Sequence, residues 1–372
     1  VRILIVEITR GMEYRIYPTK EQRILINKTL GCKRFIYNHF LQVRRDEWKF
    51  NHKSVNYSAT NAMLTDLKKY DEYSWLNEVD STALQNSLRD LQVAYDRFFK
   101  KISKYPKFKS KHAYCQKYRS QCVSNNIKLV GNTIQLPKIG KVKIKLSRDL
   151  VGKIVNATVT CTASNKYYVS ICVKYETELL SNSGHEIGID VGVKDFYADT
   201  NGNVVKNPKI LAKFAKKLAR AQRKLVRKKK GSAQYEKQRI KVARIHEKIK
   251  NVRDDFQHKL TYHLTEDNAF IAIEKLNIKG MLKNHKLAKA ISDVAWGKFF
   301  IKLEYKAKEH GGVVVKIPTF YPSSQTCYEC GYKNPLVKNL LVRDWVCPVC
   351  GAHHDRDRNA AINILAKAKD IA

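Results

Sequence analysis

Long hydrophobic runs are missing from this 372-residue sequence: stretches such as 3–6 and 270–273 fall far short of the roughly 20 apolar residues that a membrane span needs. The opening VRILIVEITRG lacks the extended apolar region and small-residue cleavage site of a secretory leader. A cytoplasmic chain with no membrane partner is expected. Acidic residues are scarce, 34 against 71 Lys and Arg, which gives a formal charge of +37. A chain so charged repels itself, whereas phosphates release counterions and turn the same excess into binding that weakens with salt. Nucleic acid is therefore the expected partner. No G-x-x-x-x-G-K-[ST] loop is present and 184–192 lacks G-x-G-x-x-G spacing, so no nucleotide cofactor is expected. Ser323 and Ser324 have no histidine-and-acid pattern nearby, which leaves nucleophilic hydrolysis unsupported. Five of the nine cysteines (Cys32, Cys115, Cys122, Cys161, Cys172) are scattered, so the spacing reads as a reducing compartment with one metal site rather than a disulfide framework.

What is present is a soluble globular balance, 44% hydrophobic and 28% charged, over a length that suits two or three structural units. Residues 13–17 alternate toward Pro18, and Thr19 with Gln22 matches a capping box, so a helix should begin at Lys20. Gly31 is expected to interrupt it, with helix resuming over 32–48 and again over 81–101, where Leu84, Leu88, Leu91 and Tyr95 form a stripe. From 127 to 175 the pattern turns to short alternating runs (IKLV, TIQL, KVKIKL, ATVTCTA, YYVSICV), which predicts a small barrel or sandwich. A third region opens at Ile187 with strand, Asn201-Gly202 hairpin turn and strand. Two basic helices follow over 206–260, turning at 228–232, and carry few acids to pair with. Lys216, Lys217, Arg220, Arg223, Lys224, Arg227, Lys228, Arg239, Arg244 and Arg253 there, with Lys107, Lys109 and Lys111, are the expected phosphate contacts.

Asp190 in GIDVG and Glu274 in FIAIEK each end an apolar strand, where an uncompensated carboxylate costs several kcal/mol. Asp357 stands where a helix over 359–366 should begin. Each acid alone is as readily a salt-bridge partner for a nearby Lys or Arg. Together, an acid on a first strand, one on a later strand and one at a final helix make the order of an RNase H-like site, in which carboxylates hold two Mg2+ (or Mn2+) ions about 4 Å apart across a phosphodiester. Cys327-x-x-Cys330-Gly and Cys347-x-x-Cys350-Gly have the spacing of one structural Zn2+ with four thiolates. His353 and His354, close behind, are expected to face solvent or phosphate.

These motifs, in this order, resemble the TnpB (OrfB) family of transposon-associated nucleases, related to the type V CRISPR effectors. The resemblance is carried by YRIYPTKEQ, GCKRFIYNHFL, YPKFKSK, GIDVGVKDF, NVRDDFQHKL, IAIEKLNIKGM, FYPSSQTCYECG and WVCPVCGAHHDRDRNAAINIL. It implies an α+β multidomain fold: a helical recognition lobe (20–104) inserted in a small wedge β-barrel (1–19 and 105–184), then an RNase H-like RuvC nuclease domain (185–320) with an inserted zinc ribbon (321–352) and a final RuvC segment (353–372). Residues 1–11 look like an extension ahead of Met12. The catalytic acids carry over to Asp190, Glu274 and Asp357, with Asp355 the lesser choice because the family ligand stands two residues before the asparagine, here Asn359. The implied partners are a noncoding guide RNA and double-stranded target DNA, cut beside a short flanking motif. A nuclease-silent RNA-guided repressor and a guide-free transposition factor or resolvase are the alternatives.

Overall fold

The computed structural model describes residues 5–111 and 115–372, so the expected strand character of residues 1–4 lies outside the described residues. The chain divides into two compact units, Ile5–Thr177 and Glu178–Ala372.

In the first unit, strand β1 (Ile5–Tyr17) leads into helices α1 (Lys20–Asn51), α2 (Tyr57–Leu67) and α3 (Ser81–Phe99). Strands β2 (Cys115–Gln121), β3 (Lys128–Val130), β4 (Thr133–Leu136), β5 (Gly140–Lys145), β6 (Lys153–Thr162) and β7 (Tyr167–Glu178) follow. The seven strands form one sheet in the order β2-β6-β7-β1-β5-β4-β3, so the helices are a sequence insertion between β1 and the rest of their sheet. Among the described residues the hydrogen-bonded order runs from β2 to β3, with no pairing between those two strands. Alternation fills the core from one face, with Ile134, Val142, Val159, Val169 and Ile171 buried against Ile26 and Leu30 of α1.

The capping box at the start of α1 is present, Thr19 accepting from the Gln22 amide and Gln22 closing back on the Thr19 amide. Gly31 does not interrupt that helix, contrary to the expectation from sequence. An interior glycine costs about 1 kcal/mol against alanine, and the buried Leu30 and Cys32 on either side offset it. Tertiary packing outweighs local propensity here.

The second unit is built on a five-stranded sheet. Its elements are β8 (His185–Val191), β9 (Asp195–Asp199), β10 (Val204–Lys206), α4 (Ile210–Val226), α5 (Ala233–Asp267), β11 (Asn268–Glu274), α6 (Ile278–Met281), α7 (His285–Val294), α8 (Trp296–Glu309), β12 (Val313–Ile317), β13 (Asp344–Val346), β14 (His353–Asp355) and α9 (Arg356–Lys369). The order β10-β9-β8-β11-β12 pairs β8, β11 and β12 in parallel and β8, β9 and β10 antiparallel. The sheet has two packed faces. Ile187, Ile189, Ile271 and Ile273 bury against Leu264 of α5, Ile291 of α7 and Phe299 of α8. Ala272 and Ile317, on the opposite face, bury against Ile364 and Ala368 of α9. No described helix is long and apolar enough to cross a membrane.

Candidate metal centre

Strand alternation decides where the acids go. Gly188 pairs with Ala272 and Ile189 with Ile273 across the parallel β8–β11 ladder. Asp190 and Glu274, one residue further on, are therefore neighbours at the carboxyl ends of two strands, on the face that α9 covers. That face is made of small residues beneath the helix. A Cβ at Gly188 would lie 2.1 Å from the Ala361 carbonyl oxygen and 2.9 Å from the Leu365 Cβ, so α9 lies directly on the bare strand. Four helical residues rise about 6 Å and two strand residues about 6.6 Å. With Ala361 over Gly188, the turn holding Asp357 reaches the level of Asp190.

The electrostatics agree with this placement. Part of Asp190 is open to solvent at the mouth of the site, but protein atoms crowd its carboxyl. Burial first, then the facing charges of Glu274 and Asp357, push its pKa well above the usual carboxylate range, with Arg356 and Arg343 pulling the other way. Burial also raises Glu274, which accepts a 2.6 Å hydrogen bond from the Ser323 hydroxyl. Asp357, in the first turn of α9, takes two 3.2 Å hydrogen bonds from one Arg343 nitrogen. Asp355 has different work: it is the N-cap of α9, accepting from the Arg358 amide at 2.8 Å. The three acids do not all lie within 4.8 Å of one another, and Asp357 is ion-paired with Arg343 at 3.2 Å. Clustered hard oxygens held against their own repulsion are a donor set suited to Mg2+ or Mn2+.

Sequence reading missed the clasp around these acids. Asn359 and Asn363 of α9 both donate to the carbonyls of Ser323 and Thr326, while the Asn359 oxygen accepts from the Tyr328 amide. These buried amides fasten the segment after β12 to the helix, and the Ser323 hydroxyl is thereby aimed at Glu274. The SSQTC stretch shows two serines, but nothing local says that one of them meets a residue 49 positions earlier.

The cysteines do close on a common point. The Sγ atoms of Cys327, Cys330, Cys347 and Cys350 all lie within 4.8 Å of one another, with Cys327–Cys350 at 3.6 Å and Cys330–Cys347 at 3.5 Å. Four sulfurs 2.3 Å from one Zn2+ in a tetrahedron stand about 3.8 Å apart, so the set fits that ion. The two halves repeat one knuckle. Cys327 donates to the Tyr332 carbonyl and accepts from Gly331, as Cys347 donates to Ala352 and accepts from Gly351. Both glycines are left-handed, at φ 77° and 73°. His354 departs from expectation: it is buried, its Nε2 lies 3.0 Å from Cys327 Sγ, and its ring packs on Trp345 and Tyr328. Burial lowers its pKa, and an N–H at Nε2 would point at the sulfur. His353 stays exposed.

The expected phosphate contacts fall into three groups. Lys216, Lys217, Arg220, Arg223 and Lys224 are exposed on α4, Arg227 and Lys228 follow at its end, and Arg239 and Arg244 lie on α5. Between the two helices, Lys217, Arg220, Lys224, Lys241, Arg244 and Lys248 line a groove of about 460 Å³ over Phe214 and Ile245. None of these six is ion-paired among the described residues. Arg239 pairs with Glu236. Arg253 is turned inward, half-buried in a 2.9 Å ion pair with Asp293, which also accepts from the Leu211 amide, so its charge holds α4, α5 and α7 together rather than facing a phosphate. Lys107 and Lys111 are exposed. The Lys109 amine sits 3.5 Å from the centre of the Tyr37 ring, where crowding by protein atoms and the Lys33 charge push its pKa down to about 8.

Gly188→Ala should cost about 3 kcal/mol or more, because the new methyl meets helix backbone rather than a movable side chain. Denaturant melting checks this, and a variant that melts with the wild type would refute the close approach of α9.

Three comparisons bear on this arrangement. Residues 170–285 match the model of the OrfB family of IS605-type elements, described as "Probable transposase". Residues 296–364 match the Cas12f1-like TNB domain. Residues 8–53 match a "Helix-turn-helix domain" model, although here they form a strand and one unbroken helix. A "Putative RNA-guided DNA endonuclease" of Streptomyces pristinaespiralis is 39% identical over 97% of this chain and 89% of its own length. One of Escherichia coli K12, InsQ, bears the same description and is 31% identical over 96% of this chain and 92% of its own. Among solved structures, a Cas12f1–sgRNA–target DNA complex aligns over 96% of this chain and 99% of that one, at 16% identity and a TM-score of 0.37.

Proposed function

Because this chain belongs to the OrfB (TnpB) family of IS605-type insertion sequences, we propose that it is an RNA-guided DNA endonuclease that cuts target DNA beside a short flanking motif, with Asp190, Glu274 and Asp357 as its metal-holding acids. The observation that carries the site is the junction of three sequence-distant acids at the carboxyl end of β8 and β11 under the start of α9. The strand order of the second unit supports an RNase H-like, RuvC-type reading of that unit, with the cysteine ribbon inserted between β12 and α9. The sheet of the first unit then serves as the wedge and its helices as the recognition lobe.

Asp190, Glu274 and Asp357 would hold divalent cations, which would supply Lewis-acid stabilisation of charge on a phosphodiester. The residues supply the frame. Asp190 and Glu274 offer oxygens from adjacent rigid strands, Ser323 fixes which Glu274 oxygen is free, and Arg343 sets the orientation of Asp357. The paired acids argue against the nuclease-silent reading. The groove between α4 and α5 gives a resident polyanion six unpaired cations, and base pairing by a bound RNA supplies sequence choice that the protein need not encode.

The deciding experiment is purification with the native locus, sequencing of the bound RNA and replacement of its terminal guide segment. The cut should move with the new segment, and RNase treatment before target addition should abolish it. RNA-free protein that cuts the same site would replace this reading with a resolvase.

The raised pKa values of Asp190 and Glu274 set a pH dependence for the metal-free chain. The folded state holds protons that the unfolded state has released, so stability falls as pH climbs from the ordinary carboxylate range of about 3.9–4.3 through the folded pKa values. Bound Mg2+ or Mn2+ relieves that strain only where the acids are ionised. The melting temperature should therefore rise more with either ion at pH 8 than at pH 5, and Asp190→Asn should stabilise the metal-free chain at pH 8. Equal gains at both pH values would count against acids held by mutual repulsion.

A further inference from the structure

Helices α1 and α3 run in the same direction, as Lys33 of α1 meets Ser87 and Asp90 of α3 while Arg44, about three turns further on, meets Gln92 and Tyr95. Their carboxyl ends therefore share one end of the helical region, and the extended segment 105–108 is bound there. Tyr105 places its hydroxyl 2.9 Å from that of Tyr95 and packs edge-on against Tyr95 and Phe98. The Arg45 guanidinium lies 5.2 Å from the Tyr105 ring centre and 4.8 Å from that of Phe108. Around this joint Trp48 is 61% exposed, Phe50 68%, Phe99 71% and Phe108 49%. Large rings left open together mark a surface that something covers. Its charge says what. Residues 45–53 and 96–109 hold nine basic side chains against three acidic ones, so a second copy of this chain would face like charge. Rings interleaved with lysines are what bases and phosphates require, one face for stacking and one cation per phosphate.

We infer that this end of the helical region is a stacking platform for unpaired nucleotides, with Phe99 and Phe108 taking bases and Lys100, Lys101, Lys104 and Lys107 their phosphates. The inference rests on the chain's binding nucleic acid but adds a site, and a form of nucleic acid, that duplex recognition alone does not need. Unlike a groove that grips only the backbone, it recognises single strands with little preference for sequence.

The test uses the full chain stripped of RNA and a short single-stranded oligoribonucleotide carrying 2-aminopurine, whose fluorescence reports stacking. Phe99→Ala/Phe108→Ala should weaken binding about tenfold at every salt concentration and abolish the fluorescence change, while Trp at both positions restores both. Lys100→Ala/Lys101→Ala should keep the fluorescence change but reduce the slope of log K against log salt by about 1.4, or about 0.7 per phosphate. A folded double-alanine variant that binds and quenches like the wild type overturns the platform. So does sedimentation showing a wild-type dimer that the same variant converts to monomer. Guided cutting is assayed in parallel: an inert platform with intact programmed cutting defeats only this inference, and the expected binding without programmed cutting defeats only the guided reading.

Discussion

Alanine at Asp190, Glu274 or Asp357 is expected to lower DNA cutting by roughly a thousandfold or more while affinity for RNA and target DNA stays close to wild type. The acids gather at one end of the sheet, near enough for Glu274 and Asp357 to act on Asp190, so each removal should strip the proposed site of a ligand without removing much of the +37 charge. Asp355→Ala is the internal control. Two residues from Asp357 in sequence, it caps α9 and does nothing else that the structure records, so its loss should cost about 1 kcal/mol of stability and leave cutting largely intact. Cleavage of a labelled target by each purified variant, with binding measured alongside, decides the matter. An active Asp357→Ala beside a dead Asp355→Ala would show the third ligand to be misassigned.

Loss of the ribbon should be almost as damaging, although its cysteines form a cluster of their own that contains none of the three acids. Cys347→Ser is expected to release the zinc, about one ion per chain, and to reduce cutting at least about a hundredfold. The physical route is short. Strand β14 ends at Asp355 and α9 begins at Arg356 with no residue between, and Arg343, just before β13, both grips Asp357 and accepts the Arg356 amide on its carbonyl. Unfolding the knuckles frees Arg343 and frays the turn that presents Asp357. Cys161→Ser, in β6 of the other unit, should retain zinc and activity. Elemental analysis with limited proteolysis and cleavage checks the pair, and an active chain without zinc would remove the ribbon from the mechanism.

Much of the scaffold was legible because local rules govern it. Alternation around Asp190 and Glu274 marked strands that carry acids at their carboxyl ends, the Asn201-Gly202 pair marked the hairpin between β9 and β10, and the cysteine spacing picked out the four thiols that cluster. What stayed hidden depends on contacts across long separations. Gly188 reads as one more glycine until α9 lies on it, Ser323 as a stray hydroxyl until Asn359 and Asn363 aim it, and Arg253 as a phosphate contact until Asp293 takes it. Gly31 erred the other way, since a propensity of about 1 kcal/mol says nothing of the core that spans it.

The docking of α9 on Gly188 also sets an order in time. Synthesis delivers β8, β11 and β12 well before Arg356, so a nascent chain can complete the sheet and present its basic helices while the third acid is still inside the ribosome. A product truncated between β12 and α9 would then keep the sheet and the basic helices but lack the third acid, and it should occupy a target without cutting it.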